Sequence, residues 1–481
     1  MKPSRGWRRR AGVGRIPNHF AYAALFGWPF VCLILFIALP LELAAISSLL
    51  GGFLLLPSNF QVDLPLLPPL DKTSVAAVST LLLCWMKGSP QRPPRQSLVI
   101  ALLSFIYIVT PLFTSLGNSY ELQYAGVSIP GFYPVDAIKT AGRNAIFLAP
   151  FFIGSHYLWS ERSRKLLLTA LPISALFYSL PMLVEIRLSP QFHRWVYGYH
   201  PSDFLQQIRG GGFRPVVFLN HGLMVALFVC LAMIAALVAT RAKWRIMRVP
   251  AGAVSAYLFG LLLLCKSLGS AVYGIVLAPL ILFTRPKTWT RIACALLLFV
   301  CAYPALRWHN LIPVHHIADA ATSVSKDRAE SFQTRVKNED QLLAKAEQKP
   351  VFGWGEWGRQ RIYDAYTGKD ISVTDGEWII QFGTFGWAGY LSLFGLFAAA
   401  AFRAMRSLGD ERSSASFAIG GLSLLLAVNV VDLLPNAGLT PIMFLVAGSI
   451  SRSVRVGAKR PANARRRNES QRAPEPALAS P

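Results

Sequence analysis

Apolar runs of about 20 residues recur along most of the chain and are separated by short, often basic loops. A helix needs about 20 residues to cross the hydrocarbon core of a bilayer. The chain is 53% hydrophobic and 15% charged, whereas a soluble domain carries about a quarter charged residues. The sequence therefore predicts an all-α fold, a polytopic transmembrane helical bundle of about twelve membrane helices.

Basic residues fall mostly in alternate loops, which lie on one side of the membrane if each apolar run between them crosses it. The net charge of +24 is also typical of nucleic-acid binding, so the position of each Lys and Arg decides between the two interpretations. Most of them lie in segments 2–15, 87–95, 162–165, 241–248, 285–291 and 403–412 and in the tail from Arg452. This bias is the positive-inside pattern, which predicts that these loops face the cytoplasm and that the partners are membrane lipids rather than nucleic acid.

The charge pattern divides the chain into five segments. They are a basic cytoplasmic N-terminus (1–19), membrane helices with an extracytoplasmic loop at 186–214 (20–306), a large extracytoplasmic loop with short helices (307–375), C-terminal membrane helices (376–451) and a disordered basic cytoplasmic tail (452–481). Three apolar runs precede the basic loop at 87–95, although parity requires an even number of crossings there. One of the first two is therefore expected to be re-entrant, interfacial or fused with its neighbour.

Neither metal nor disulfide chemistry is predicted. The six cysteines lie within or beside apolar runs without a CxxC pair, so they are expected to be small buried hydrophobes. His315 and His316 have no nearby carboxylate at metal spacing, so we assign them to loop structure rather than to zinc. The sequence predicts no metal and no cofactor.

The loop at 186–214 carries four arginines, Arg187, Arg194, Arg209 and Arg214, and a Gly triplet before a membrane helix. Guanidinium groups are fork-shaped donors that match phosphate oxygens. For a single Arg the ordinary explanation is snorkelling to the membrane interface. Four in one outside loop run against the positive-inside trend and favour anion binding, with Arg214 beside the Gly run as the leading candidate.

In the large loop, the segment that precedes the turn at 349–358 has apolar residues at helical spacing. Its charges are expected to be solvated along an amphipathic helix, with Arg335 as the exception. Gly353, Gly355 and Gly358 then allow tight or left-handed backbone. Trp354 and Trp357 in the turn, with Trp378 beyond it, are of the type that settles at a bilayer boundary.

Two carboxylates, Asp375 and Glu377, stand at the mouth of the following apolar helix. Interaction with the helix dipole and capping of the free amides by Asp375 are two ordinary explanations. A carboxylate here is equally suited to act as general base toward a sugar hydroxyl. Residue type allows both roles, and it does not choose between the two carboxylates.

Ionisable residues also occur in or beside the apolar runs, where they are expensive and indicate function. They are Lys139, Arg143, His221, Lys266 and Asp432. Lys139 and Arg143 are one helical turn apart on one face, so they are placed to extend an anion site toward the outer surface. The alternative is structural pairing with Asp136 or Asp432.

The order of these motifs resembles that of the O-antigen ligase and polymerase superfamily over roughly residues 97 to 450. The resemblance rests on FRPVVFLNHGLMVALF, KSLGSAVYGIVLAPLILF, PVFGWGEWG and GTFGWAGYLSLFGLF. It implies a glycosyltransferase that uses undecaprenyl-pyrophosphate-linked glycans at the outer face of the bacterial inner membrane, with its active site facing the periplasm. A protein that sets chain length is a further candidate partner.

By this resemblance, Arg214 and Arg335 match the arginines proposed to hold the pyrophosphate. Ligases commonly place a His-Asn pair before the final Gly-rich helix, where this chain has Asp375-Gly376-Glu377. The carboxylates favour a polymerase of repeat units, inverting and metal-independent. The alternatives are a ligase that moves finished glycan to a lipid or protein acceptor and, in another class, a flippase or exporter of lipid-linked sugars.

Overall fold

The computed structural model describes residues 17–64, 67–89, 92–314 and 326–454. The chain is mostly helical, with α1 (His19–Ala38), α2 (Leu41–Leu55), α3 (Lys72–Lys87), α4 (Leu98–Leu116), α5 (Pro134–Tyr157), α6 (Glu161–Leu188), α7 (Phe192–Tyr197), α8 (Gly222–Arg241), α9 (Ala251–Leu264), α10 (Leu268–Phe283), α11 (Pro286–Trp308), α12 (Lys326–Ala346), α13 (Glu377–Ser407), α14 (Ser414–Asp432) and α15 (Pro441–Ser451). Most of the first and last segments of the prediction, as well as His315 and His316, lie outside the described residues.

Short antiparallel hairpins account for the strands of the described chain. Four pairs of neighbouring strands form them: β1 (Gln61–Val62) with β2 (Leu70–Asp71), β3 (Leu122–Tyr124) with β4 (Val127–Ile129), β5 (Ile208–Arg209) with β6 (Gly212–Phe213), and β7 (Arg245–Ile246) with β8 (Val249–Pro250). Each hairpin lies in a loop, so the helices build most of the core.

Seven described helices are long and apolar enough to cross a membrane, namely α1, α4, α6, α8, α11, α13 and α14. Four further apolar helices are shorter: α2, α9, α10 and α15. The predicted helical class is confirmed, while the count of twelve crossings stays a prediction. Helices α8 and α14 are buried almost all round, as expected for apolar helices at the centre of a bundle.

The bundle has two ends with different chemistry. At one end, which we call the loop end, Asn118 donates to the carbonyl of Gly353 at 3.0 Å, and the long segments between helices meet. At the opposite end, Arg164 donates to the carbonyl of Ser449 at 2.9 Å, and basic residues predominate.

The first three apolar runs form three separate helices, α1, α2 and α3. Asn18, which caps α1, donates to the carbonyl of Val196 at 2.9 Å, so α1 begins at the loop end. The Lys87 ammonium at the end of α3 donates to the carbonyl of Leu39 at 3.2 Å, at the opposite end. Of the three, α1 alone is long and apolar enough to cross a membrane, so the number of crossings before the basic loop stays a prediction.

Helix α13 is interrupted at Gly386, whose φ of 61° and ψ of −161° are not helical. A Cβ there would lie 2.5 Å from the carbonyl oxygen of Pro350, so only glycine fits. The amide of Trp387 donates to Pro350 at 2.7 Å, and that of Ala388 donates to Val351 at 3.0 Å. The loop before α13 therefore supplies acceptors to the second half of the helix.

The same loop also satisfies the first half of α13. The amide of Trp354 donates to the carbonyl of Gly383, and that of Gly355 donates to the carbonyl of Thr384, both at 2.9 Å. Segment 350–355 thus occupies the helix break and is bonded to both half-helices. The predicted turn is confirmed, since the three glycines in it have φ of 67°, 80° and 79°.

Candidate functional site

A cavity of about 570 Å³ opens at the loop end beside α8, α12 and the segment that joins α14 to α15. We call it the arginine cavity. Six residues singled out in the sequence line it: Arg209, Arg214, His221, Arg335, Asp375 and Asp432. They come from five separate parts of the chain, and the fold brings them to one place.

Arg214 is held at the cavity by the hairpin β5–β6 and by the loop between α9 and α10. Its Nε and Nη2 donate to the carbonyl of Lys266 at 3.3 and 3.0 Å. The Lys266 ammonium in turn donates to the carbonyls of Arg209 and Gly210, each at 3.0 Å. Lys266 therefore ties the two arginines to the bundle, which is a structural role.

A buried carboxylate fixes the backbone that follows Arg214. Glu185, near the end of α6, accepts from the amides of Val216 at 2.7 Å and Val217 at 2.8 Å. Its other oxygen accepts from the amide of Phe192 at 2.9 Å. The sequence analysis missed Glu185, although an acid within a predicted apolar run was a signal that could have found it.

His221 caps α8, and its Nδ1 accepts from the amide of Leu223 at 3.1 Å. Burial first, and then the charges of Arg214, Arg209 and Arg335, lower the pKa of His221 to about 4. The ring is therefore neutral near pH 7. Because Nδ1 is an acceptor, Nε2 carries the proton and is available as a neutral donor at the cavity.

Arg335 and Asp375 form an ion pair, with Nε 2.9 Å from Oδ2 and side chains that are 41% and 33% exposed. Asp375 does not cap the next helix: Gly376 is the N-cap of α13, and no side chain bonds there. The capping explanation is therefore wrong, because the carboxylate is turned toward Arg335.

Helix α12, which carries Arg335, is anchored to its neighbours. Arg307 of α11 donates to Asp340 at 2.8 Å, and the indole of Trp378 donates to Glu339 at 3.5 Å. Burial raises the pKa of Glu339 to about 7, against the opposing charge of Arg307. The predicted apolar face of α12 is confirmed for its described members, since Val336, Leu342, Leu343 and Ala346 are buried.

The electrostatics of the arginine cavity favour an anion. Three guanidinium groups face it, against the carboxylates of Asp375 and Asp432. Burial, followed by repulsion from Arg209 and Arg335, lowers the pKa of Arg214, yet an arginine stays charged near pH 7. Neighbouring cations that repel one another are stabilised when a polyanion binds between them.

Asp432 lies at the edge of this cavity and accepts from the amide of Asn436 at 3.1 Å. Asn220 also lines the cavity, and its buried Oδ1 has no partner among the described residues. Sequence reasoning singled out neither asparagine. Asn220 directly precedes His221, so the two polar residues at a helix start were the available signal.

Glu377 and Arg143 belong to a separate cavity of about 530 Å³. We call it the amide cavity and define it by Arg143, Glu356, Gln360, Glu377 and Gln381. Arg143 is ion-paired with Glu356, rather than with Asp136 or Asp432. Glu377 accepts from the side-chain amide of Gln381 at 2.7 Å and from the backbone of Gly438 at 3.2 Å.

The turn between Asp375 and Glu377 separates the two cavities. A Cβ on Gly376 would lie 2.2 Å from the carbonyl oxygen of Leu434, so this close approach requires glycine. Two carboxylates that are adjacent in sequence therefore face different surroundings. Lys139 lines neither cavity.

The tryptophans depart from the boundary role that their type suggested. Trp378 is fully buried, and Trp354 is nearly so, with its indole donating to the carbonyl of Lys345 at 2.7 Å. Trp357 is exposed and lines the amide cavity. Two of the three therefore pack inside the protein.

In the part of the chain that the structure describes, no group of three or more His, Cys, Asp and Glu side chains is placed to hold a metal ion. Fold and site together define a helical protein with membrane-length helices and an arginine-rich cavity at one end of its bundle. No protein-family model matches the chain, and no curated protein matches its sequence.

Proposed function

We propose that the chain is a membrane glycosyltransferase that polymerises undecaprenyl-pyrophosphate-linked oligosaccharide repeat units at the outer face of the bacterial inner membrane. The observation that carries this proposal is the arginine cavity. One space holds three guanidinium groups, a neutral histidine donor and a carboxylate, Asp375. This set matches a pyrophosphate leaving group together with an attacking hydroxyl.

The reaction is a single inverting displacement. An acceptor hydroxyl attacks the anomeric carbon of the lipid-linked glycan, and the bond from that carbon to the pyrophosphate oxygen breaks with its electron pair. Asp375 takes the hydroxyl proton. Arg214, Arg335 and the neutral His221 donate to the pyrophosphate, where negative charge grows in the transition state.

The ion pair between Arg335 and Asp375 makes the proton transfer to Asp375 depend on binding of the lipid-linked glycan donor. A pyrophosphate that bonds to Arg335 competes with the carboxylate for the same guanidinium group. The carboxylate is thereby released toward the acceptor hydroxyl at the time when the donor is in place. Binding and activation of the base are thus coupled through one side chain.

Asp375 is a better base in this mechanism than Glu377. Asp375 shares its cavity with the arginines, whereas Glu377 faces the amide cavity and is already bonded to Gln381 and Gly438. A base must lie within hydrogen-bond reach of the proton that it abstracts. We therefore assign the proton transfer to Asp375.

The test is reconstitution of the full chain in lipid with purified lipid-linked repeat units. The wild type is expected to produce a ladder of longer chains, and Arg214→Ala, Arg335→Ala and Asp375→Asn are expected to leave single repeats. Arg194→Ala is the matched control, because Arg194 lies in the same loop, is exposed and lines neither cavity. Chains of unchanged length in all three site variants would refute the assignment.

The same assay separates the alternatives. A ligase transfers preformed glycan to a lipid or protein acceptor and makes no ladder from repeat units alone. A flippase moves lipid-linked repeats across the vesicle membrane and leaves them unextended. The arginine cavity lies at one end of the bundle, which favours an enzyme, since a transporter is expected to hold its charges in a central cavity.

A further inference from the structure

The amide cavity has the composition of a carbohydrate site. Gln360 and Gln381 contribute amides, Glu377 a carboxylate and Arg143 a guanidinium group, and the exposed indole of Trp357 stands at its wall. Planar polar groups beside an aromatic ring suit a sugar, which presents hydroxyls at its rim and an apolar face. None of these residues has a part in the mechanism above.

Three buried polar side-chain atoms at this cavity have unused hydrogen-bonding capacity. Within the described chain, Arg143 Nε, Gln360 Oε1 and Gln381 Oε1 are buried and have no hydrogen-bond partner. Gln381 is only 8% exposed, and its amide nitrogen is already committed to Glu377. Buried polar atoms are nearly always satisfied in native proteins, so one donor and two acceptors at one cavity point to a ligand that both donates and accepts.

The charges distinguish this ligand from the donor pyrophosphate. Arg143 is neutralised by its ion pair with Glu356, and Glu377 and Asp71 add carboxylates to the lining. A phosphate is disfavoured there, whereas neutral hydroxyls are not. The two cavities therefore differ in sign: one is basic, and the other is neutral to acidic.

A third cavity of about 570 Å³ borders the first two. It shares Asn220, Met224 and Gly438 with the arginine cavity, and Gln61, Asp71 and Thr73 with the amide cavity. A glycan of several sugars is long enough to occupy more than one of these spaces. The third cavity therefore lies between the arginine cavity and the amide cavity and adjoins both.

We infer that the amide cavity binds the neutral sugars of the acceptor glycan, so that the acceptor chain lies in it while the donor pyrophosphate occupies the arginine cavity. The inference rests on the proposed function and adds a second substrate site to it. Gln360 and Gln381 bind acceptor hydroxyls through their free carbonyl oxygens, and Arg143 Nε donates to another. The acceptor then reaches Asp375 through the third cavity.

The experiment uses the full chain in lipid nanodiscs and two probes. One is undecaprenyl pyrophosphate, and the other is the repeat-unit oligosaccharide freed from its lipid by mild acid. Gln360→Leu and Gln381→Leu are expected to weaken oligosaccharide binding, and to raise its KM as a soluble acceptor, by about tenfold each. Binding of undecaprenyl pyrophosphate should stay within about twofold of wild type, because neither glutamine lines the arginine cavity.

Two controls complete the design. Gln348→Leu alters an exposed glutamine that lines neither cavity and should change nothing. Arg214→Ala should show the converse pattern, with pyrophosphate binding weakened and oligosaccharide binding retained. Gln360→Leu is the cleaner of the two test variants, since Gln381→Leu also removes a hydrogen bond from Glu377.

The inference is overturned if the wild type does not bind the oligosaccharide, if both glutamine variants bind it as the wild type does, or if they lose both probes equally. Failure of the proposed function is visible in the wild type alone, as absence of both undecaprenyl-pyrophosphate binding and chain extension. A wild type that extends chains, with glutamine variants that behave normally, refutes the acceptor site and leaves the polymerase intact.

Discussion

The ion pair between Arg335 and Asp375 predicts opposite effects on donor binding for its two members. A phosphate that bonds to Arg335 must displace the carboxylate, whose Oδ2 lies 2.9 Å from Nε. Asp375→Asn removes this competitor and a negative charge that faces the phosphate. We therefore expect the variant to bind undecaprenyl pyrophosphate more tightly than wild type while transfer stops, whereas Arg335→Ala weakens binding.

The magnitudes follow from exposure. The two side chains are 41% and 33% exposed, and a pair this accessible to solvent contributes at most about 1 kcal/mol. Release from the competition therefore increases affinity by up to about fivefold in Asp375→Asn. A hydrogen bond to a charged group contributes about 1.5–3 kcal/mol, so Arg335→Ala is expected to weaken binding by about 10-fold to 150-fold.

The assay is equilibrium binding of radiolabelled undecaprenyl pyrophosphate to the full chain in nanodiscs, with chain extension measured on the same preparations. Asp410→Asn is a suitable control, because Asp410 forms an exposed ion pair with Lys287 away from both cavities. Weaker binding in Asp375→Asn, or unchanged binding in Arg335→Ala, would refute the idea that the donor and the carboxylate compete for one guanidinium group.

Three further predictions concern the stability of the protein when residues at or near the site are changed. The pKa of His221 is about 4 in the folded chain and near 6.5 in the unfolded chain, so the unfolded chain binds more protons between these two pH values. Stability therefore falls as the pH drops from about 6.5 to about 4. His221→Gln should make this fall smaller, as measured by thermal-shift scans at a series of pH values. Gly386→Ala should lower the free energy of unfolding by about 1–3 kcal/mol or more, while Gly395→Ala in the same helix, with 3.7 Å of clearance, should have little effect. Glu185→Leu leaves two buried amides and one partly buried amide without their acceptor and should lower the free energy of unfolding by about 3 kcal/mol or more, whereas Glu161→Leu, at an exposed site, should have little effect. Tm is the measurement, and an equal loss in both glutamate variants would contradict this.

Much of the helical architecture was predictable, because membrane helices depend on local composition. Run length and apolarity predicted the helical class, and helical spacing predicted α12. The beginning of the chain was harder, because the place where α1 starts depends on a contact between residues that are far apart in sequence, Asn18 and Val196. Charge parity carries no information on such a contact.

The site was predictable in its residue types and only partly in its grouping. Arg214, Arg335 and Asp375 do line one cavity, but Glu377 and Arg143 line another. Sequence proximity gave no sign that a close approach at Gly376 would separate the two carboxylates. Likewise, the hydrogen bonds from Val216 and Val217 to Glu185 depend on long-range packing, which no local pattern encodes.

The break in α13 has a consequence for hydrogen exchange. The amides of Trp354 and Gly355 belong to a loop by sequence, yet their acceptors are carbonyls of a helix that lies in the bundle. The amides of Trp387 and Ala388 depend reciprocally on that loop. Opening either part alone would leave backbone N–H and C=O groups without hydrogen-bond partners in apolar surroundings. All four amides should therefore exchange with solvent as one cooperative unit, at a single slow rate, although two of them lie outside any helix.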